Sequence, residues 1–423
     1  MKHHKMKASS LILATIISLV WSKQFSYEGY KVWSVTPKSD EQGKLLLEWE
    51  NNVSIDFWEQ VSKIGLSSRI MAAPDVQSQF EEFLVEHNID HKLIIENVER
   101  VFERERLENS QNKAKSTPNS QPGSGNFNHF WTFSEINRYL TQLTILYGDI
   151  CHTETLGFSY EGRAMRALKI GRFDGTRPIV FFEAGVHARE WIAPMAALYL
   201  IEQLVINHHT HYELQSVDVI VIPVLNPDGY EYSYNYERLW RKTRSPNANS
   251  TCVGVDANRN FAHEWRPSNN PCSLTYGGVA PFTEPEAAIV RDLYARYQDL
   301  VKFHIGIHSY GLYFLYPWGY DFVNIDNWED HDLAGNNFAE AIFNVNGTIY
   351  RVGNAAMLLY TAYGGGSDYA AYAAAELSAT VELPGGGDSG FDLPAERIES
   401  VVKETWMGLE QVLHYVADVH GSK

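Results

Sequence analysis

An apolar run at residues 178–185 is followed at once by His187-Ala188-Arg189-Glu190 and then by a helix-length apolar stretch at 191–205. A short run rich in Val, Ile and Phe reads as a strand buried on both faces, and the longer stretch after it as a helix. Strand, turn and helix in this order build parallel sheets covered on both sides, which place their sites on the turns at the carboxyl ends of strands. Here that turn carries a histidine and a glutamate, and His308 closes a second apolar run at 300–308. Histidine and carboxylate ligands that leave a fourth position open are the donor set of a catalytic zinc. The spacing differs from the His-Glu-x-x-His helix, in which both histidines share one helical face. His-x-x-Glu is common by chance, so its weight here comes from its flanks.

The chain has 423 residues, enough for two or three domains, and its 44% hydrophobic content supplies a large core. A formal net charge of −17 excludes the basic footprint of a nucleic-acid binder. Residues 1–22 read as a secretory signal: Lys2, Lys5 and Lys7 precede an apolar stretch too short to span a bilayer. No later stretch reaches spanning length. In a secreted chain cysteines are eligible for disulfides. Cys252 and Cys272 bracket a polar segment with Pro267 and Pro271, which reads as a stapled loop; Cys151 reads as a buried thiol. Asn52, Asn249 and Asn346 begin glycosylation sequons.

Three regions follow the signal. Residues 23–108 carry a compact α+β pattern: strands at 31–35, 43–49 and 91–98, a helix at 77–87, and a charged helical stretch at 99–108. Residues 109–125 are rich in Ser, Asn, Gln, Pro and Gly and read as a linker. Arg104, Arg106, Lys113 and Lys115 lie in or beside it, so a trypsin-like protease is expected to cut there and activate the chain. Residues 126–423 alternate strand-like and helix-like runs, with further strands at 217–224, 300–308 and 377–383. The expected fold is an α/β/α sandwich on a mixed, mostly parallel sheet, preceded by a small α+β open sandwich.

The chemistry-bearing residues extend the zinc reading. His187, Glu190 and His308 would hold the metal, which lowers the pKa of a water to roughly 7. A general base must face it, and Glu382 closes an apolar strand just before Pro384 and three glycines. Arginine runs are usually solvated, but Arg241 could stabilise an oxyanion. Asn258 and Arg259 could grip a carboxylate, since Arg pairs with one in a bidentate fork. A substrate with both a scissile carbonyl and a free carboxylate is a peptide C-terminus.

At these motifs the chain resembles the zinc metallocarboxypeptidases of the pancreatic A/B type. The resemblance rests on Tyr160-Glu161-Gly162-Arg163, His187-Ala188-Arg189-Glu190-Trp191, Asn226-Pro227-Asp228-Gly229-Tyr230, Trp240-Arg241-Lys242-Thr243-Arg244, the stretch from Cys252 through Asp256 to Asn260, and His308-Ser309-Tyr310. It covers nearly everything after the signal, and residues 23–108 are similar to the family's inhibitory pro-domain. The resemblance implies one zinc on His187, Glu190 and His308, with Arg241 at the scissile carbonyl oxygen. It implies that Asn258, Arg259 and Tyr360 hold the terminal carboxylate, and that Glu382 moves a proton from water to the leaving amine. Arg189, Tyr310 and Phe391 would line the subsites before the scissile bond, and Cys252 would pair with Cys272. The glycines after Tyr360 suggest a loop that closes over substrate.

Two positions depart from the family. Ser367 stands just before the Asp of the Gly-rich loop, where B-type enzymes carry an acidic residue and A-type enzymes an apolar one. With Leu315, Gly319, Ala355 and Thr380 it implies a roomy, uncharged pocket, hence release of neutral aromatic or aliphatic residues. Pro384 replaces an arginine that is frequent there. The rivals are B-type specificity, disfavoured by Ser367, a prohormone-processing enzyme, and a catalytically dead relative, disfavoured because every ligand and base position is filled. A secreted monomer without a membrane span, acting on peptide C-termini, is expected.

Overall fold

The computed structural model describes residues 24–61, 63–115, 127–373, 375–386 and 390–421. The expected signal and the later part of the expected linker lie outside them.

The amino-terminal region runs β1 (Lys31–Thr36), α1 (Asp40–Glu48), β2 (Ile55–Phe57), β3 (Ser68–Ala72), α2 (Gln77–Glu86), β4 (Asp90–Ile95) and α3 (Val98–Lys115). Its four strands form an antiparallel sheet in the order β2-β3-β1-β4. Alternation along β1 and β3 gives the sheet two apolar faces. Trp33, Val35, Ile70 and Ala72 pack under Leu46 of α1 and Phe80 and Leu84 of α2. Val32 and Met71 face the other way and join Trp58, Phe102, Leu239 and Phe391. That second face is therefore closed by the rest of the chain.

Two sequence expectations need correction here. Residues 43–49 are expected as a strand, but 43–48 belong to α1 and Trp49 caps it at the start of a 3-10 turn. The Ser39 hydroxyl accepts from Gln42 N at 3.2 Å and Asp40 and Glu41 fill the first turn, so helix capping outweighs the short leucine run; only Leu46 of that run is fully buried. Residues 109–115, expected as linker, continue α3. Asn109 is buried, accepting from Phe130 N at 2.6 Å and donating to the Tyr234 hydroxyl at 2.9 Å, so polar residues typical of loops are anchored instead on the following domain.

The larger region contains α4 (Phe133–Leu146), β5 (Cys151–Phe158), β6 (Ala164–Ile170), β7 (Ile179–Ala184), α5 (Ile192–Ile206), β8 (Asp218–Ile222), α6 (Pro227–Asn235) and α7 (Pro285–Tyr297). It continues with β9 (Val301–Ser309), β10 (Tyr313–Tyr316), α8 (Trp328–Asn346), β11 (Arg351–Asn354), α9 (Ala355–Leu358), α10 (Gly366–Tyr372), β12 (Leu377–Leu383) and α11 (Ile398–His420). The sheet order is β11-β10-β12-β9-β7-β8-β6-β5, with β12, β9, β7 and β8 mutually parallel at its centre. Val180 and Phe182 of β7 pack in the core with α4, α5, α8 and α11, whereas Ile179 and Phe181 pack on the other face with α7. The result is the expected α/β/α sandwich on a mixed, mostly parallel sheet. Cys252 and Cys272 are bonded, and the buried Cys151 has its thiol pushed up to about 11 by burial and the nearby Asp149, far from reactive thiolate.

Candidate active site

Three central strands end at one place. β7 delivers the turn bearing His187 and Glu190, β9 ends just after His308, and Glu382 of β12 lies opposite His308 in the parallel ladder. The turn leaves β7 through Gly185 at φ +67, where a Cβ would meet Pro194 and the backbone of residues 223 and 224. The turn is then clamped from behind. Ala188 N donates to Arg241 O at 3.0 Å, and Asn226, the cap of α6, donates from Nδ2 to Val186 O and Lys242 O.

His187 Nδ1 lies 2.8 Å from Glu190 Oε1, His308 Nδ1 lies 3.1 Å from Glu190 Oε2, and the two imidazole nitrogens are 3.2 Å apart. All three residues are buried. Two histidine nitrogens and a carboxylate converging on one point suit a zinc ion. Behind them, Asp256 Oδ1 is 3.1 Å from His187 Nε2, the orientation a metal-bound imidazole requires of its outer partner. Asp256 Oδ2 accepts from Arg241 Nη2 at 2.8 Å and Nε at 3.2 Å, and Oδ1 accepts from Asn258 N at 3.0 Å. Burial alone would raise the Asp256 carboxyl, but Arg241 and His187 hold it well below the usual range. In the sequence Asp256 is visible as one residue of its motif, with no role marked locally. The available signal was an acid two residues before Asn258, on a chain whose nearby Arg241 needed a partner.

The cleft, a cavity of about 510 Å³, is lined by His187, Arg189, Glu190, Arg241, Asn258, Arg259, His308, Tyr310, Tyr360, Glu382 and Phe391. Burial raises the Glu382 carboxyl above the ordinary range, Glu190 adds to this, and His308, Arg241 and Arg259 oppose it. Asn258 Oδ1 accepts from Gly366 N at 2.8 Å, tying that residue to the start of α10.

Ser367 is not among the residues lining this cleft. It sits in the first turn of α10 with its hydroxyl 2.7 Å from that of Thr380, which is paired with Leu315 across β12 and β10. Gly319 lies between Ala355 and Asp368, whose carboxylate accepts from Gly319 N at 2.9 Å and Tyr320 N at 3.1 Å. The arginine run is not solvated as such runs usually are: Arg238 is buried on Glu105, Lys242 donates to Pro271 O, and Arg244 stacks over Tyr232 and Trp240.

The amino-terminal region reaches into the same cleft. Arg189 Nη1 donates to Asp56 Oδ2 at 2.7 Å, Trp58 meets the edge of Phe391 at 6.1 Å, and Arg69 stands over the Tyr310 ring at 5.7 Å. Neither Asp56 nor Trp58 was singled out in the sequence, because nothing local marks a residue whose partner is far along the chain.

An α/β/α sandwich with a His-Glu-His cation centre at its strand ends, faced by a carboxylate and two arginines and roofed by a separate α+β domain, defines a metallohydrolase held in a covered state. Residues 136–408 match the zinc carboxypeptidase family model and residues 33–105 the carboxypeptidase activation peptide. The chain belongs to the zinc carboxypeptidase family, whose members use a catalytic zinc ion, and it carries the activation peptide of a zymogen. Carboxypeptidase B of Astacus astacus is 38% identical over 300 residues, covering 69% of this chain and 99% of that one. Carboxypeptidase A2 of Rattus norvegicus is 32% identical over 418 residues, covering 97% and 99%. The crystal structure of carboxypeptidase A from Helicoverpa armigera superposes with a TM-score of 0.87 at 33% identity, covering 93% and 98%. Relatives of both the A and the B name are thus similar to this chain.

Proposed function

We propose that this protein is a secreted zymogen that, once cut, releases neutral aromatic or aliphatic residues from peptide C-termini. The observation that carries the reading is the convergence, in one cleft, of the His187–Glu190–His308 trio, Glu382 and the cations Arg241 and Arg259. Zinc held by the trio supplies Lewis acidity toward a carbonyl and an easily deprotonated water. Glu382, with its raised pKa, is suited to accept the water's proton and pass it to the departing amine. Arg241, fixed by Asp256, offers its guanidinium to the carbonyl oxygen as charge develops. Asn258, Arg259 and Tyr360 hold the substrate's carboxylate, and Arg189, Tyr310 and Phe391 meet the residues before the scissile bond.

For specificity, Ser367, Thr380, Leu315, Gly319 and Ala355 supply no unpaired charge to the pocket. Asp368, the nearby acid, spends both oxygens on backbone amides. This supports neutral residues over the B-type alternative. Blocked dipeptides ending in Phe, Leu, Lys and Glu test it on trypsin-treated protein. Phe or Leu should leave far faster than Lys, and Ser367→Asp should move the preference toward Lys. Equal or faster release of Lys by the unaltered protein overturns the pocket assignment.

Secretion rests on the basic and apolar pattern of residues 1–22, and a monomer remains the expectation. We infer that the activating cut, expected between Arg104 and Lys115, falls at Lys115. Arg104, Arg106 and Lys113 lie within α3, Arg106 and Lys113 in ion pairs with Glu99 and Glu135, whereas Lys115 is its exposed last residue. Proteases cut extended chain, so a helix end opens at least cost.

A further inference from the structure

Far along the fold from the cleft, the connection from α5 to β8 carries a second cluster of metal-ligating side chains against α11. Glu213 is 1% exposed, yet its Oε2 has no hydrogen-bond partner among the described residues. A buried carboxylate oxygen left without a donor is costly, so its surroundings should supply a positive charge. His211 Nδ1 lies 3.8 Å from that oxygen and 3.6 Å from Glu410 Oε1. These separations are too long for hydrogen bonds. They are close to the edge of a zinc tetrahedron, roughly 3.4 Å for ligand bonds of about 2.0–2.1 Å. His211, Glu213 and Glu410 offer one ligand atom each, all within 4.8 Å of one another. The other Glu213 oxygen, Oε1, is 2.5 Å from His414 Nε2. The His211 ring is set edge-on against Trp406 at 5.3 Å, and His414 stacks on Tyr212 at 5.4 Å, so both imidazoles are held by packing.

We propose that His211, Glu213 and Glu410 bind a second zinc-class divalent cation, with His414 orienting Glu213. The chemistry is that of a structural site: one imidazole and two carboxylates neutralise the ion, a fourth position takes water, and a hydrogen-bonded imidazole fixes a ligating carboxylate. None of the four residues lines the catalytic cleft. The ion would tie the loop that follows α5 to α11 and so brace the helix that begins just after Glu190. Binding only to the folded chain, it would stabilise that chain by mass action.

The test uses the whole zymogen, equilibrated with zinc and then gel-filtered into metal-free buffer without chelator. Metal content and melting temperature are measured for the unaltered protein and for His211→Asn and Glu410→Gln. The expected result is about two zinc per chain in the unaltered protein and about one in each variant. Added zinc should raise the melting temperature of the unaltered protein alone, while release of C-terminal Phe after trypsin stays the same in all three. One zinc per chain in the unaltered protein overturns the proposal, because the cluster is then only a set of ion pairs. Two per chain in both variants also overturns it, because the second ion then sits elsewhere. Should one variant fold poorly, the other together with His414→Gln gives the same reading.

Discussion

The activation domain meets the enzyme at two places of unlike chemistry. At the cleft, the segment around β2 offers one carboxylate and one indole: Asp56 reaches Arg189 and Trp58 the edge of Phe391. Along the rim, α3 buries a full ion pair, with Arg238 Nε and Nη2 on the two Glu105 oxygens at 2.6 and 2.9 Å and Arg238 further donating to Phe391 O and Arg189 O. Asn109 and then Lys113 continue that grip to Phe130 and Glu135. The first contact meets the side chains of Arg189 and Phe391, which are assigned to substrate; the second reaches these two residues through Arg238, at their backbone carbonyls. Blocking and anchoring are thus separate in the chain, which lets a cut at the end of α3 weaken the anchor before the block is disturbed.

The largest effect should come from the anchor. Glu105→Ala leaves Arg238 buried without its carboxylate, a loss of about 3–5 kcal/mol for a broken buried pair. In the trypsin-cut zymogen, activity should then appear together with the cut, whereas the unaltered protein should show a delay while the cut domain remains docked. Equal delays would mean that α3 is not the anchor. A smaller effect is expected at the block. Asp56→Asn removes a charge-assisted hydrogen bond worth about 2 kcal/mol and should raise the activity of the uncut protein toward small substrates with little change in melting temperature. An unchanged uncut activity would show that Trp58 and its neighbours suffice to cover the cleft.

The smallest effect depends on pH. Burial alone would raise the Glu135 carboxyl, but the nearby His129 imidazole at 3.9 Å, the Lys113 ammonium at 2.9 Å and hydrogen bonds from Thr132 N and its hydroxyl hold it well below its ordinary 4.5. Because the folded value is depressed, its contribution is present above 4.5 and is lost as the pH falls below that toward the folded value. The melting temperature of Glu135→Gln should lie below that of the unaltered protein at neutral pH, and the gap should close on acidification. A gap that widens in acid would contradict the assignment.

The same contrast explains what the sequence could reveal. The strand–turn–helix at 178–205 was legible because its pattern and its ligands are local, and β8, β9 and β12 followed from apolar runs of strand length. The stretch at 43–49 misled because a run of three leucines fits either element, and the deciding cap, Ser39, lies before it. The covered face of the small sheet was not legible at all. Val32 and Met71 are apolar like their neighbours, and their partners Leu239 and Phe391 are remote in the chain. For the same reason Glu105 read as one charge among many on a polar helix, and Asp256 as part of a motif.

The central claim is that an intact cleft lies ready beneath a removable cover. Its most direct test is the rate of release of C-terminal Phe from a blocked peptide, measured before and after trypsin, with and without a zinc chelator. The account predicts low release before cutting, a large gain afterward, and loss of that gain with the chelator. Full release by the uncut protein, or none after cutting with zinc still bound, would contradict it.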